Sequence, residues 1–133
     1  MITEIRSKHK KKKELLALIL DVSDMQEGSF GVTEPSWSLQ VLMMKRRAGH
    51  VVRKHMHKKI RKSTKQPMEA LVVIRGAVQA SIFDRKGILA AKKRVSAGQC
   101  LLIVDGAHEV AIQKNALMYA FKDGPHVQDK VMV

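Results

Sequence analysis

With a single cysteine, Cys100, in 133 residues, the chain has no intramolecular disulfide to staple it. The position of Cys100 in the apolar stretch "CLLIV" points to a buried, inert thiol in a reducing compartment, and a cytoplasmic setting is expected. Aromatic residues are equally scarce: Phe30, Trp37, Phe83, Tyr119 and Phe121 are the whole set. Basic and stacking side chains therefore do not interleave as they do in proteins that bind single-stranded nucleic acid. No apolar window approaches the length of a membrane span, and no membrane partner is expected. The opening "MITEIRSKHKKKKELLALILD" sets a basic run before apolar residues, as a secretory signal does. Its apolar part, Leu15 to Leu20, is short, and Asp21 and Asp24 follow in place of a small-residue cleavage site. Between Lys45 and Lys65 there is no acidic residue at all.

What is present is positive charge. Lysine and arginine total 25 against 12 acids, a formal charge of +13, which attracts polyanions or small anions and says nothing about fold. The length suits one domain. Residues 1–30 read as a basic N-terminal extension, with Lys8 to Lys13 a solvated tail or helix start and Glu14 to Val22 a short helix or strand. Residues 31–133 read as the single domain proper. Within it "KKIRKSTKQP" reads as an exposed loop between two strands, ended by Pro67. That loop is either a solvated insertion or a rim that attracts phosphate.

From Trp37 onward the sequence breaks into strand-like pieces separated by turns: "EALVVIRG", "AVQASIFDRKG", "ILAAKKRV", "CLLIVDG", "AHEVAIQKN" and "ALMYAFKDGP". The stretch "VQASIFDRKGILAAKKRV" predicts a hairpin, with "DRKG" as its turn. Short strands with no long helix between them define an all-β class, an antiparallel sandwich or barrel.

Side chains at i and i+2 of a strand share a face, so His55 and His57 would project together if a strand bore them. Two such imidazoles can bind one metal, with Glu69 and His108 as candidates to complete the set. A buried Glu69 needs a compensating partner, and either a metal or a lysine would serve.

The same residues resemble the first motif of the cupins. Gly49 is followed by five residues and His55-Met56-His57; Glu69 is followed by six residues and Gly76. Between the two halves lies an eleven-residue insertion, "KKIRKSTKQPM". The second motif is matched by Gly98, Gly106 and His108, and the tail "MYAFKDGPHVQDK" is similar to small single-domain cupins of the WbuC type. The resemblance implies a cupin-type antiparallel jelly-roll barrel with a short N-terminal extension. It implies a divalent transition metal (Fe, Mn, Ni or Zn) held by His55, His57, Glu69 and His108, and a homodimer. His50 and His126 are expected to be non-ligands, either of them able to line the pocket or replace Glu69, and Tyr119 is expected to pack.

Three functions follow. One is a metal-binding cupin that binds or transforms a small anionic molecule, such as a sugar or sugar nucleotide, steered by Arg53, Lys54 and Lys58 at the rim. Another keeps the fold but makes the histidine pair a metal-free proton shuttle for a sugar-nucleotide isomerase. The last is a non-enzymatic basic protein that binds nucleic acid or an acidic partner.

Overall fold

A computed structural model describes residues 2–133. Its elements run β1 (Thr3–Arg6), β2 (Leu15–Asp21), a one-turn 3-10 helix (Val22–Asp24), β3 (Gly28–Gly31), β4 (Leu42–Lys45), β5 (Glu69–Phe83), β6 (Leu89–Ser96), β7 (Gln99–Ile103) and β8 (Ala107–Lys122). All strand pairs are antiparallel. Six strands form one sheet in the order β1-β2-β7-β5-β6, with β8 on the other edge of β5, and β3 pairs with β4 in a separate two-stranded sheet. Among the described residues no helix is long and apolar enough to cross a membrane.

The two most continuous apolar runs, "LLALIL" and "CLLIV", become β2 and β7 because both faces of these strands are covered. On one face Leu16, Ala17, Ile19, Leu101 and Ile103 pack with Ile5, Val73, Val78, Ala80, Ile82 and Val95. On the other, Leu18, Leu20, Leu102 and Val104 pack with Met43, Met68 and Ala70, flanked by Trp37, Leu39 and Val41. The second core is where the small β3-β4 sheet and its linking segment close over the large one.

β5 holds the architecture together. Its first residues, Glu69 to Val72, pair with β7, its last, Ala77 to Phe83, with β6, and β8 follows it along the opposite edge. The register shifts between Val73 and Val78, where Gly76 takes a φ of +80°. A Cβ at that position would collide with the Asn115 carbonyl oxygen of β8, so only glycine fits the corner. The "DRKG" turn joins β5 to β6, with Asp84 Oδ1 accepting the Lys86 and Ile88 N–H groups and Gly87 N–H donating to Asp84 O.

The barrel that the cupin resemblance implies is not formed. The strand ladders leave two open sheets, neither closed on itself, and the assignment to a WbuC-type jelly roll is corrected accordingly. Between Lys45 and Glu69 the chain has neither strand nor helix. Ten cations without an acid repel one another too strongly for that stretch to lie down as a ladder strand, so β4 finds only β3.

Cys100 is partly covered by the second core, and burial pushes its thiol up to about 11. Native protein at pH 8 is expected to react with a disulfide reagent far more slowly than protein in denaturant; equal rates would contradict this packing. Gly76→Ala is expected to cost about 2 kcal/mol or more, measured by urea unfolding, from strain plus overlap with β8. Gly31→Ala, where a Cβ meets nothing within 4 Å, is the matched control and is expected to cost well under that.

Candidate functional site

The basic segment is pinned at both ends and exposed between them. At its start Lys45 pairs with Gly28 on β3, and Arg46 donates to Ser29 Oγ at 2.9 Å. At its end Gln66 Nε2 donates to Val104 O, Ser38 Oγ donates to Gln66 O at 2.7 Å, and Met68 N–H donates to Asp123 Oδ1 at 2.8 Å. Every residue from 46 to 65 is exposed. The ten cations from Lys45 to Lys65 have no acidic neighbour in sequence, and among the described residues none of them forms an ion pair with a carboxylate. Arg53, Lys54 and Lys58, expected at the rim of a metal pocket, lie on this open segment instead.

His55 and His57 lie on it too. Their rings stand edge to face with centroids 5.2 Å apart, and His55 Nδ1 is 2.7 Å from Arg53 O. No strand carries them, so the i, i+2 argument for a shared inward face does not apply. His50 makes a local turn, its N–H donating to Arg47 O at 3.2 Å. His126 is exposed beyond β8, and Tyr119 is an exposed side chain of β8 beside Phe121.

Glu69 and His108 do meet, in a different place. His108 Nε2 lies 3.3 Å from Glu69 Oε2. Glu69 pairs with Ile103 and Lys122, whereas His108 pairs with Ile82, thirteen positions along β5. In a straight strand that separation spans about 40 Å, so the contact exists only because β5 and β8 turn the Gly76 corner together. The hydrogen bond with His108 holds the Glu69 carboxyl below its ordinary value. Partial burial opposes this, and attraction to His108, Lys122 and Lys130 supports it.

The four expected ligands are therefore divided into an exposed pair on the basic segment and a salt-bridged pair on the sheet. Among the described residues no group of three or more His, Cys, Asp and Glu side chains is placed to hold a metal ion. Both the metal-binding reading and the metal-free proton shuttle are corrected on this geometry. Glu69 has a histidine as its partner in place of the metal or lysine expected, and no strand carries the histidine pair.

Sequence reading missed a second cluster. Lys8, His9, Lys10 and Lys11, read as a tail or helix start, form the turn between β1 and β2, and they face Asp84, Lys86 and Ile88 across a cleft. No local signal announces it, because the two walls are more than seventy residues apart in sequence. Compared with known protein families, curated proteins and solved structures, the chain matches none.

The Glu69–His108 contact has a measurable pH signature. Because the folded carboxyl titrates below its ordinary value of 4.5, its stabilisation is full above that value and disappears as pH falls through the folded one. Glu69→Gln is expected to lower unfolding free energy by about 1 kcal/mol at pH 7 and by much less at pH 3. A gap of the same size at both pH values would contradict the charge-based account.

Proposed function

We propose that this is a polyanion-binding protein whose β-sheets display the 46–66 segment to the phosphate backbone of nucleic acid. One observation supports the reading above the others: nine cations without an acid, exposed, on a segment pinned at both ends to a folded scaffold. An isolated run of lysines is commonly a solvated surface. Here four of the acids that could neutralise the run are paired elsewhere, Glu4 with Arg6, Glu14 with Lys12, Asp105 with Arg85 and Glu69 with His108.

The segment contains no aromatic residue, so base stacking contributes nothing and the phosphates supply the attraction. Duplex DNA or RNA, with its denser charge, is the better match to such a surface. The cytoplasm, the compartment its lone thiol suits, offers nucleic acid in abundance. Binding of this kind positions the protein without reading sequence.

Fluorescence anisotropy with a short duplex at several salt concentrations tests the reading. If about six cations engage phosphates, the slope of log K against log[salt] is expected to be about −5. Replacing Lys58, Lys59, Arg61 and Lys62 together by Gln is expected to shrink that slope by about 3 and to weaken binding by more than about tenfold at roughly 0.1 M salt. Unchanged affinity in this variant, or binding that ignores salt, would overturn the proposal.

A further inference from the structure

We infer a second anion site, for a compact oligophosphate, in the cleft between the β1-β2 turn and the β5-β6 turn. The cleft encloses about 480 Å³ and is lined by Lys8, His9, Lys10 and Lys11 on one side and Asp84, Lys86 and Ile88 on the other. Four lysines thus border one small volume, against a single aspartate.

Both walls are fixed by their own hydrogen bonds. Ser7, buried beneath the first turn, donates its N–H to Glu14 O at 2.8 Å, and its Oγ accepts the Glu14 N–H at 3.0 Å and donates to Lys12 O at 3.2 Å. The second turn is held by Asp84, whose Oδ1 already accepts two N–H groups at 2.9 and 3.0 Å. His9 Nδ1 accepts the Lys11 and Lys12 N–H groups at 3.3 and 3.2 Å, so the other ring nitrogen is the one that carries a proton and can donate.

On the same two turns and their flanks, Arg6, Lys12 and Arg85 each have a carboxylate partner, at 2.9, 3.4 and 2.7 Å. Lys8, Lys10, Lys11 and Lys86, the four that line the cleft, have none among the described residues. Lys13 of the first turn also lacks a carboxylate partner among these residues, but the cleft is where unpaired lysines of two turns meet. Bringing like charges together from distant parts of the chain is unfavourable unless an anion offsets it. A nucleic acid presents its charges one per nucleotide along an extended path. A linear di- or triphosphate concentrates three or more charges in a few ångströms, which suits a small cleft with a net excess of three cations.

The site does not depend on the 46–66 segment, and the test separates the two. Inorganic triphosphate is titrated into uniformly labelled full-length protein, and amide shifts are followed. Saturable shifts are expected at residues 8–11 and 84–88. The Lys11→Gln/Lys86→Gln double variant is expected to raise Kd by about tenfold or more, while neutralising Lys58, Lys59, Arg61 and Lys62 changes it by less than about twofold. Unchanged amide positions elsewhere show that the variants fold. Shifts centred on residues 46–66, or a double variant that binds as wild type does, would overturn the inference. So would a DNA duplex that moves the cleft amides and is displaced by triphosphate, since the cleft would then be part of an extended phosphodiester track.

Discussion

Because Gly76 has no Cβ and takes a positive φ against the Asn115 carbonyl, β5 and β8 can change direction together without breaking their pairing. Each consequence in the large sheet follows from that corner. The N-terminal half of β5 joins β7, β2 and β1, its C-terminal half joins β6, and the side chains between the two arms make the first core. The corner also brings Glu69 to His108 and sets the β5-β6 turn opposite the β1-β2 turn. A straight β5 would separate all of these groups by tens of ångströms.

The second organising force is the allocation of few acids among many bases. With 12 carboxylates for 25 lysines and arginines, most cations must remain unpaired somewhere. The fold spends several of its acids on turn geometry and on single ion pairs. Asp21 accepts from Ser23 at the end of β2, which holds its carboxyl below the ordinary value, and Asp84 closes the β5-β6 turn. Much of the surplus is left on an irregular segment and in one cleft, both open to solvent and both held by neighbouring hydrogen bonds. Charge that is fixed in place attracts an anion at a smaller entropic cost than charge on a free tail.

Much of the scaffold was legible in the residues. The run "CLLIV" is apolar at every position because both faces are buried, and the "DRKG" turn is formed by the residues that favour it, whereas "LLALIL" fits helix or strand until its partners β1 and β7 decide it. The long β8 was less legible, appearing as "AHEVAIQKN" and "ALMYAFKDGP". A single strand of sixteen residues runs through the apparent break at Asn115, since the irregularity there is a register shift against β5 and not a turn. Closure of the sheets could not be read from local pattern at all. It depends on which edges find partners, and the segment that would have supplied one more strand is the one that charge repulsion keeps out of the ladder.

The histidine pattern shows why spacing alone was insufficient. Gly49, His55, His57, Glu69 and Gly76 have the separations of a metal-binding motif, and the two glycines even share a positive φ. Yet the meaning of His-x-His depends on an extended, paired backbone that turns alternate side chains to one face. Lys54, Lys58 and Lys59 beside the histidines remove that condition: in a strand the cations at 54 and 58 would lie on the opposite face from His55 and His57, and the segment itself has no acid to offset them. The same lysines that make the segment a poor strand make it a good surface for phosphate. Residue type and spacing define what a site could do, and the local charge balance decides whether the backbone ever adopts the form in which it does so.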